Sequence, residues 1–319
     1  MATNIELIED ISNEIKYLKE KKNAVILSHN YQLPEIQDVS DFIGDSLNLS
    51  LEAANTTADT IVFCGVHFMA ETASILCPRK TVLIPDLEAG CSLASTINIE
   101  QLRRWKEKYP NAVVVSYVNT TAEIKAESDY CCTSSNAIKI VNSIPKDKEI
   151  LFLPDMFLGS YIASETERNI HIWPGECHVH ADMRIEDVNK KLEEVKNAEF
   201  LIHPECGCVS KYLYHLSEDD IKNKQTHILS TEGMVKRVKE SQNNKFVIAT
   251  EVGILHRINK EVNNKELIPL KEDAICKYMK MITLEKLHQS LKNNIFEVKV
   301  PEKIANKARL SIKRMIEIT

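Results

Sequence analysis

Short, uninterrupted apolar runs recur along the chain, and several follow a longer stretch in which apolar residues return every three or four positions. The runs read as parallel strands buried on both faces, the longer stretches as amphipathic helices. VILSH (25–29), VVVSY (113–117) and FLIHP (200–204) follow the helical segments IELIEDISNEIKYLKEKK, NIEQLRRWKEKYP and RIEDVNKKLEEVKN. IVFCG (61–65), ILFLP (150–154) and FVIAT (246–250) form a second matching set, and TVLIP (81–85), IHIWP (170–174) and KELIP (265–269) a third.

The spacings make this a threefold repeat. Ile61 to Pro85 and Ile150 to Pro174 are 24 residues each, and Phe246 to Pro269 is 23. A cysteine follows each of these prolines: Cys91, Cys177 and Cys276. A hydroxyl residue that reads as a helix N-cap, Ser46, Ser134 or Thr231, lies 15 or 16 residues before the second strand. The gap from the first strand end to this hydroxyl is 17 residues for His29–Ser46 and Tyr117–Ser134, but 28 for His203–Thr231. An insertion around SEDDIKNKQ accounts for the difference. The pattern predicts an α/β protein of three repeats, residues 1–91, 92–177 and 178–276, each a three-layer α/β/α domain with a parallel sheet. Residues 277–319 read as helices, one opening on Pro301, that pack back on the first repeat.

Composition narrows the class. A net charge of −6 with scattered basic residues argues against a nucleic-acid or anionic-membrane surface. No apolar run approaches the roughly 20 residues of a membrane helix. The acidic, amphipathic start does not read as a signal peptide, so a cytoplasmic protein is expected. Nine cysteines, an odd number with no CxxC pair, argue against a disulfide framework.

In open parallel sheets, ligands sit beyond the carboxyl ends of the strands. Here those ends carry His29-Asn30-Tyr31, Tyr117-Val118-Asn119 and His203-Pro204-Glu205. The helix starts at Ser46, Ser134 and Thr231 suit carboxylate or phosphate, because free backbone N–H groups point outward there. Cys91, Cys177 and Cys276 hold corresponding positions and, brought together, make a three-sulfur site. Iron–sulfur clusters accept widely separated cysteines and are usually held by four, so three leave one metal position open. Two other metal readings stand beside this one. Cys177 with His178 and His180 forms a candidate zinc site for a hydrolase, and the pairs Cys131/Cys132 and Cys206/Cys208 compete as cluster ligands, as in a non-catalytic electron carrier.

From about Leu27 to Met315 the chain resembles the quinolinate synthase family. The resemblance is carried by SHNYQLPEIQDVSDFIGDSL, CGVHFMAETASIL, SYVNTTAEIKAESDYCCTSSNA, GECHVHA, LIHPEC, STEGM and EDAICKYMK. It implies three pseudo-symmetric α/β domains around a central active site. It also implies a [4Fe-4S] cluster held by Cys91, Cys177 and Cys276, with one iron open as a Lewis acid. The implied substrates are iminoaspartate and dihydroxyacetone phosphate, which condense to quinolinate, phosphate and water in NAD biosynthesis. An aspartate oxidase or dehydrogenase would supply the iminoaspartate. Substrate-binding positions fall on His29, Ser46, Tyr117, Val118, Asn119, Ser134, His203, Pro204, Glu205 and Thr231, and Tyr31 matches a tyrosine implicated in catalysis. Some members carry a CxxCxxC run at the last ligand, where this chain has Cys276 alone. Within this frame Glu205 is the expected general base, its pKa raised toward 7 by burial, with His29, His203 and Tyr31 as proton donors or orienters.

Overall fold

The computed structural model describes residues 4–209 and 225–319, with side chains from residue 8 onward. Nearly all of the SEDDIKNKQ segment lies outside the described residues.

Twelve strands form three four-stranded parallel sheets of identical topology, β2-β1-β3-β4, β6-β5-β7-β8 and β10-β9-β11-β12. The first sheet comprises β1 (Ala24–His29), β2 (Phe42–Gly44), β3 (Thr60–Cys64) and β4 (Thr81–Leu83). The second comprises β5 (Val113–Tyr117), β6 (Tyr130–Cys132), β7 (Ile150–Leu153) and β8 (Ile170–Ile172). The third comprises β9 (Glu199–Ile202), β10 (Thr226–Ile228), β11 (Lys245–Ala249) and β12 (Glu266–Pro269). All nine strands read from the apolar runs are present. The three the pattern missed are β2, β6 and β10, three-residue edge strands without the proline-ended apolar run that marks β4 in TVLIP and β8 in IHIWP.

Helices follow the strands. They are α1 (Asn4–Lys21), α2 (Pro34–Val39), α3 (Ser46–Asn55), α4 (His67–Leu76), α5 (Ile99–Lys108), α6 (Ala122–Ala126) and α7 (Ala137–Ser143). Then come α8 (Met156–Thr166), α9 (Ile185–Glu194), α10 (Thr231–Glu240), α11 (Ile254–Glu261), α12 (Leu284–Asn293) and α13 (Glu302–Glu317). Local chemistry starts several of them. Asn98 and Gln101 close a capping box on α5, and the Asp155 carboxylate caps α8 through the Leu158 N–H. Among the described residues no helix is long and apolar enough to cross a membrane.

The two faces of the sheets have different destinations. In the third sheet Leu201, Phe246 and Ile248 join the large core shared with the first and second sheets, while Phe200, Ile202, Val247 and Ala249 fill a separate core with α9. The second sheet divides the same way: Val115, Ile150 and Phe152 face the shared core, and Val114, Leu151 and Leu153 pack under α5. Period-two alternation thus lets each unit complete its own layer and still contribute to one common interior.

Of the C-terminal helices, α12 packs against α1 of the first unit. Helix α13 lies in the seam between the first and second units. Arg309 donates to the Ile75 carbonyl of the first, while Ser311 and Arg314 donate to Lys125 and Asp129 carbonyls of the second. It touches both units.

Candidate active site

A largely enclosed cavity of about 710 Å³, its mouth included, sits where the three sheets present their carboxyl ends. Its lining confirms an alternation along each first-strand end. His29 and Tyr31, Tyr117 and Asn119, and His203 and Glu205 face the cavity. Val118 and Pro204, between them, do not line it, and Val118 is buried behind the wall with its N–H bonded to Cys132. Each chain turns just past its strand end, and the turn carries the middle residue of the triplet away from the cavity.

The hydroxyl residues Ser46, Ser134 and Thr231 all line the same cavity, but they are not the caps. Asp45 caps α3 by accepting the Asn48 N–H, and Ser230 caps α10 by accepting the Gly233 N–H. Ser46 and Thr231 are therefore the first helical residues, and Ser134 lies in the turn before α7. The hydroxyls of Thr231 and Ser134 make contacts between units. Thr231 accepts from the Asn30 amide at 3.0 Å, and Ser134 lies 3.3 Å from His203 Nε2. Ser135 donates to Asp45 at 2.6 Å across the first and second units.

A hydrogen-bonded chain occupies the floor. Tyr117 donates to Glu205 Oε1, while Glu205 Oε2 lies 3.3 Å from His180 Nδ1. His180 Nδ1 is also 3.4 Å from Cys177 Sγ, and its Nε2 is 2.9 Å from the Thr250 hydroxyl, which in turn meets the Tyr31 phenol. Burial disfavours charge on His180, but Cys177 and Glu205 overcome it and raise the imidazole to about 10. The same pairing reverses the expectation for Glu205. Burial alone would raise its pKa, yet His180, His203 and the Tyr117 hydroxyl hold it well below the ordinary carboxylate range. Nearby Asp155 is pushed up, first by burial and then by the charge on Glu205.

His29 and His203 are a matched pair. Each accepts on Nδ1 the backbone N–H two residues on, from Tyr31 at 3.2 Å and Glu205 at 3.4 Å. With Nδ1 accepting, the proton sits on Nε2. Burial depresses both imidazoles to about 3, so both are neutral.

Six of the nine cysteines are buried, among them Cys131, Cys132, Cys206 and Cys208. The three that retain access are Cys91, Cys177 and Cys276, and all three line the cavity. The sulfurs of Cys91 and Cys276 accept backbone N–H groups two and three residues on, from Leu93 and Ala94 and from Tyr278 and Met279. Burial nevertheless outweighs these bonds and pushes both thiols up, Cys91 to about 12. Among the described residues, the one set of metal-binding atoms gathered within 4.8 Å of one another is Cys177, His180 and Glu205, already joined by hydrogen bonds. The zinc triad read from the sequence does not assemble as such, because His178 is exposed and bonds Ser92 at 2.7 Å. Among the described residues the sulfurs of Cys91, Cys177 and Cys276 are not gathered at single-ion spacing, and three thiols on one cavity are the donor type an iron–sulfur cluster takes.

Sequence reasoning assigned no role to Asp45, Thr250, Glu251 or Asp155, and considered His180 only as a zinc ligand. Asp155 and Glu251 follow the second strand of their units, in LPD and ATE, so the strand-end rule that found His29 would have reached them.

The NadA family model, Quinolinate synthetase A protein, matches residues 13–317. The chain is 58% identical to a quinolinate synthase of Pyrobaculum aerophilum, over 96% of this chain and 99% of that one. It is 54% identical to a quinolinate synthase of Thermus thermophilus, over 97% and 98% of the two chains. A quinolinate synthase of Mycobacterium tuberculosis is 50% identical over 96% of this chain and 88% of its own.

Proposed function

Because the chain belongs to the quinolinate synthetase A family, we infer that it condenses iminoaspartate with dihydroxyacetone phosphate, giving quinolinate, phosphate and two waters. The observation that carries this reading is the selective access of Cys91, Cys177 and Cys276, one from each repeat, to a single cavity. These residues would hold a [4Fe-4S] cluster. When bound, such a cluster offers an open, Lewis-acidic iron that makes a substrate hydroxyl a better leaving group.

The remaining roles follow from the side chains. Ser46, Ser134 and Thr231, with the backbone N–H groups at their chain turns, receive carboxylate and phosphate oxygens. Neutral His29 and His203 carry Nε2 protons and donate to substrate oxygens on which negative charge develops. Glu205, kept ionised by His180, accepts a proton from substrate carbon. Its low basicity suits positions already acidified by an adjacent imine. Protonated His180 compensates the Glu205 charge and fixes it against Tyr117. Burial and the charge on Glu205 push the Tyr31 phenol up, so it remains a hydrogen-bond donor. The cavity walls, from all three sheets, exclude water from an imine that hydrolyses readily. An aspartate oxidase or dehydrogenase supplies that imine, and the reaction runs in the cytoplasm.

The test is iron, acid-labile sulfide and zinc per chain after purification without oxygen, on the native enzyme and on C91A, C177A and C276A. About four irons and four sulfides in the native enzyme, lost in each variant, support the reading. So does release of quinolinate and phosphate when iminoaspartate is generated beside dihydroxyacetone phosphate. Zinc without sulfide, or a cluster indifferent to all three substitutions, overturns it.

A further inference from the structure

The three cysteine loops are anchored by the same backbone bond. Just beyond the second strand of each unit, an N–H donates to the carbonyl two residues before the cysteine: His67 to Ala89, Met156 to Gly175 and Val252 to Ala274. The residue immediately before each donor is therefore equivalent in the three units, and it is Val66, Asp155 or Glu251. These three positions have diverged. Val66 offers no polar atom. Asp155 spends one oxygen on capping α8, and its short carboxylate meets the Cys177 N–H but, among the described residues, has no lysine beside it.

Glu251, fully buried, uses both oxygens. Oε1 accepts the Cys276 N–H at 3.1 Å and the Lys280 ammonium at 2.9 Å, and Oε2 accepts the Gly253 N–H at 2.7 Å. Lys280 also donates to the Tyr31 carbonyl at 2.5 Å. The arrangement is tightly packed: a Cβ on Gly253 would come within 2.8 Å of both Glu251 Oε2 and Lys280 Nζ. One carboxylate thus joins the turn carrying Cys276, the end of β11 and, through Lys280, the Tyr31 segment of the first unit.

We propose that Glu251 is the positioning residue for Cys276, its carboxylate clasping the cysteine's turn and, through Lys280, binding that turn to the Tyr31 segment. This rests on the reading of Cys276 as a cluster ligand. The chemistry demands a carboxylate. Three donors approach two oxygens, and an amide would turn an N–H toward one of them, so glutamine is no substitute despite its shape. Residues that orient metal ligands typically contribute 10–100-fold to metal retention.

The experiment follows iron release from the anaerobically purified enzyme to a ferrous chelator, with thermal unfolding measured in parallel. E251Q and E251A should release iron about tenfold faster than the native enzyme. K280M, which keeps the carboxylate but removes its counter-ion, should show a smaller acceleration in the same direction. E251D, which keeps two acceptor oxygens on a shorter arm, should recover part of the native rate, a rescue that a merely space-filling role would not produce. Native release rates in E251Q and E251A, or no difference between E251D and E251Q, overturn the proposal. If E251Q does not fold, K280M decides it: native-rate release there also overturns it. A native enzyme without iron and sulfide, or C276A loading as well as native, would instead strike the cluster reading itself.

Discussion

At the scale of single residues, the neutral pair His29 and His203 has a measurable consequence. In the unfolded chain an imidazole takes up a proton below about pH 6.5. In the folded enzyme both stay neutral down to about 3. The unfolded state therefore binds more protons in this window, and stability declines as pH falls below 6.5, by up to roughly 1.4 kcal/mol per pH unit for each histidine. The ¹⁵N signals of both rings should stay in the Nε2–H form from pH 8 to 5.5. Denaturant unfolding of H203N should depend less steeply on pH between 6.5 and 4.5 than that of the native enzyme. Histidine signals that titrate near 6.5 would show that these rings are solvated and are not the fixed donors inferred above.

At the scale of elements, one buried carboxylate ties the third sheet to its covering helix. Glu199, at the start of β9, accepts from Arg237 Nε at 2.6 Å and from the Ser241 hydroxyl, at and just beyond the end of α10. Burial opposes its charge, but Arg237 and Ser241 win and hold it below the ordinary carboxylate range. A depressed carboxylate contributes stability above its unfolded pKa and loses it as pH falls through the folded value. R237M should cost about 1 kcal/mol at pH 7, since the arginine is partly exposed and Ser241 and His227 stay beside the carboxylate. The deficit should shrink at low pH, as protonation of Glu199 removes the charge that Arg237 balances. Urea unfolding at pH 7 and pH 3.5 measures both, and an equal deficit at the two values would show that the arginine acts through packing alone. Helix starts teach a related lesson. GDSL and STEGM each contain two candidate caps, and the structure uses Asp45 and Ser230, which frees Ser46 and Thr231 for the cavity.

At the scale of the whole molecule, the last helix holds the first two units together. Asn136 donates to the carbonyls of Met315 and Ile318, both at 2.8 Å, while its own side-chain oxygen receives the Thr133 N–H. It therefore joins the chain terminus to the turn that carries Ser134. N136A removes these bonds and should cost about 2 kcal/mol. Because Ser134 shares the turn, KM should rise more than kcat falls. A change in stability with unaltered KM would separate the seam from the site.

Much of this molecule follows from local pattern. Buried parallel strands must be apolar throughout, and helices must repeat every 3.6 residues, so nine strands, the threefold spacing and the three accessible cysteines were legible in VILSH, VVVSY, FLIHP and their counterparts. The edge strands β2, β6 and β10, outside any longer apolar run, leave no such trace. Facing, charge and partnership were decided by the tertiary structure. The turns just past the strand ends carried Val118 and Pro204 away from the cavity their neighbours line. Glu205 became an ionised group because His180, Tyr117 and His203 meet it there, and Glu251 gained its role from Cys276, Lys280 and, through Lys280, Tyr31. Electrostatic and hydrogen-bond terms depend on distances of a few ångströms between residues up to some 250 positions apart in the chain, and only folding sets those distances.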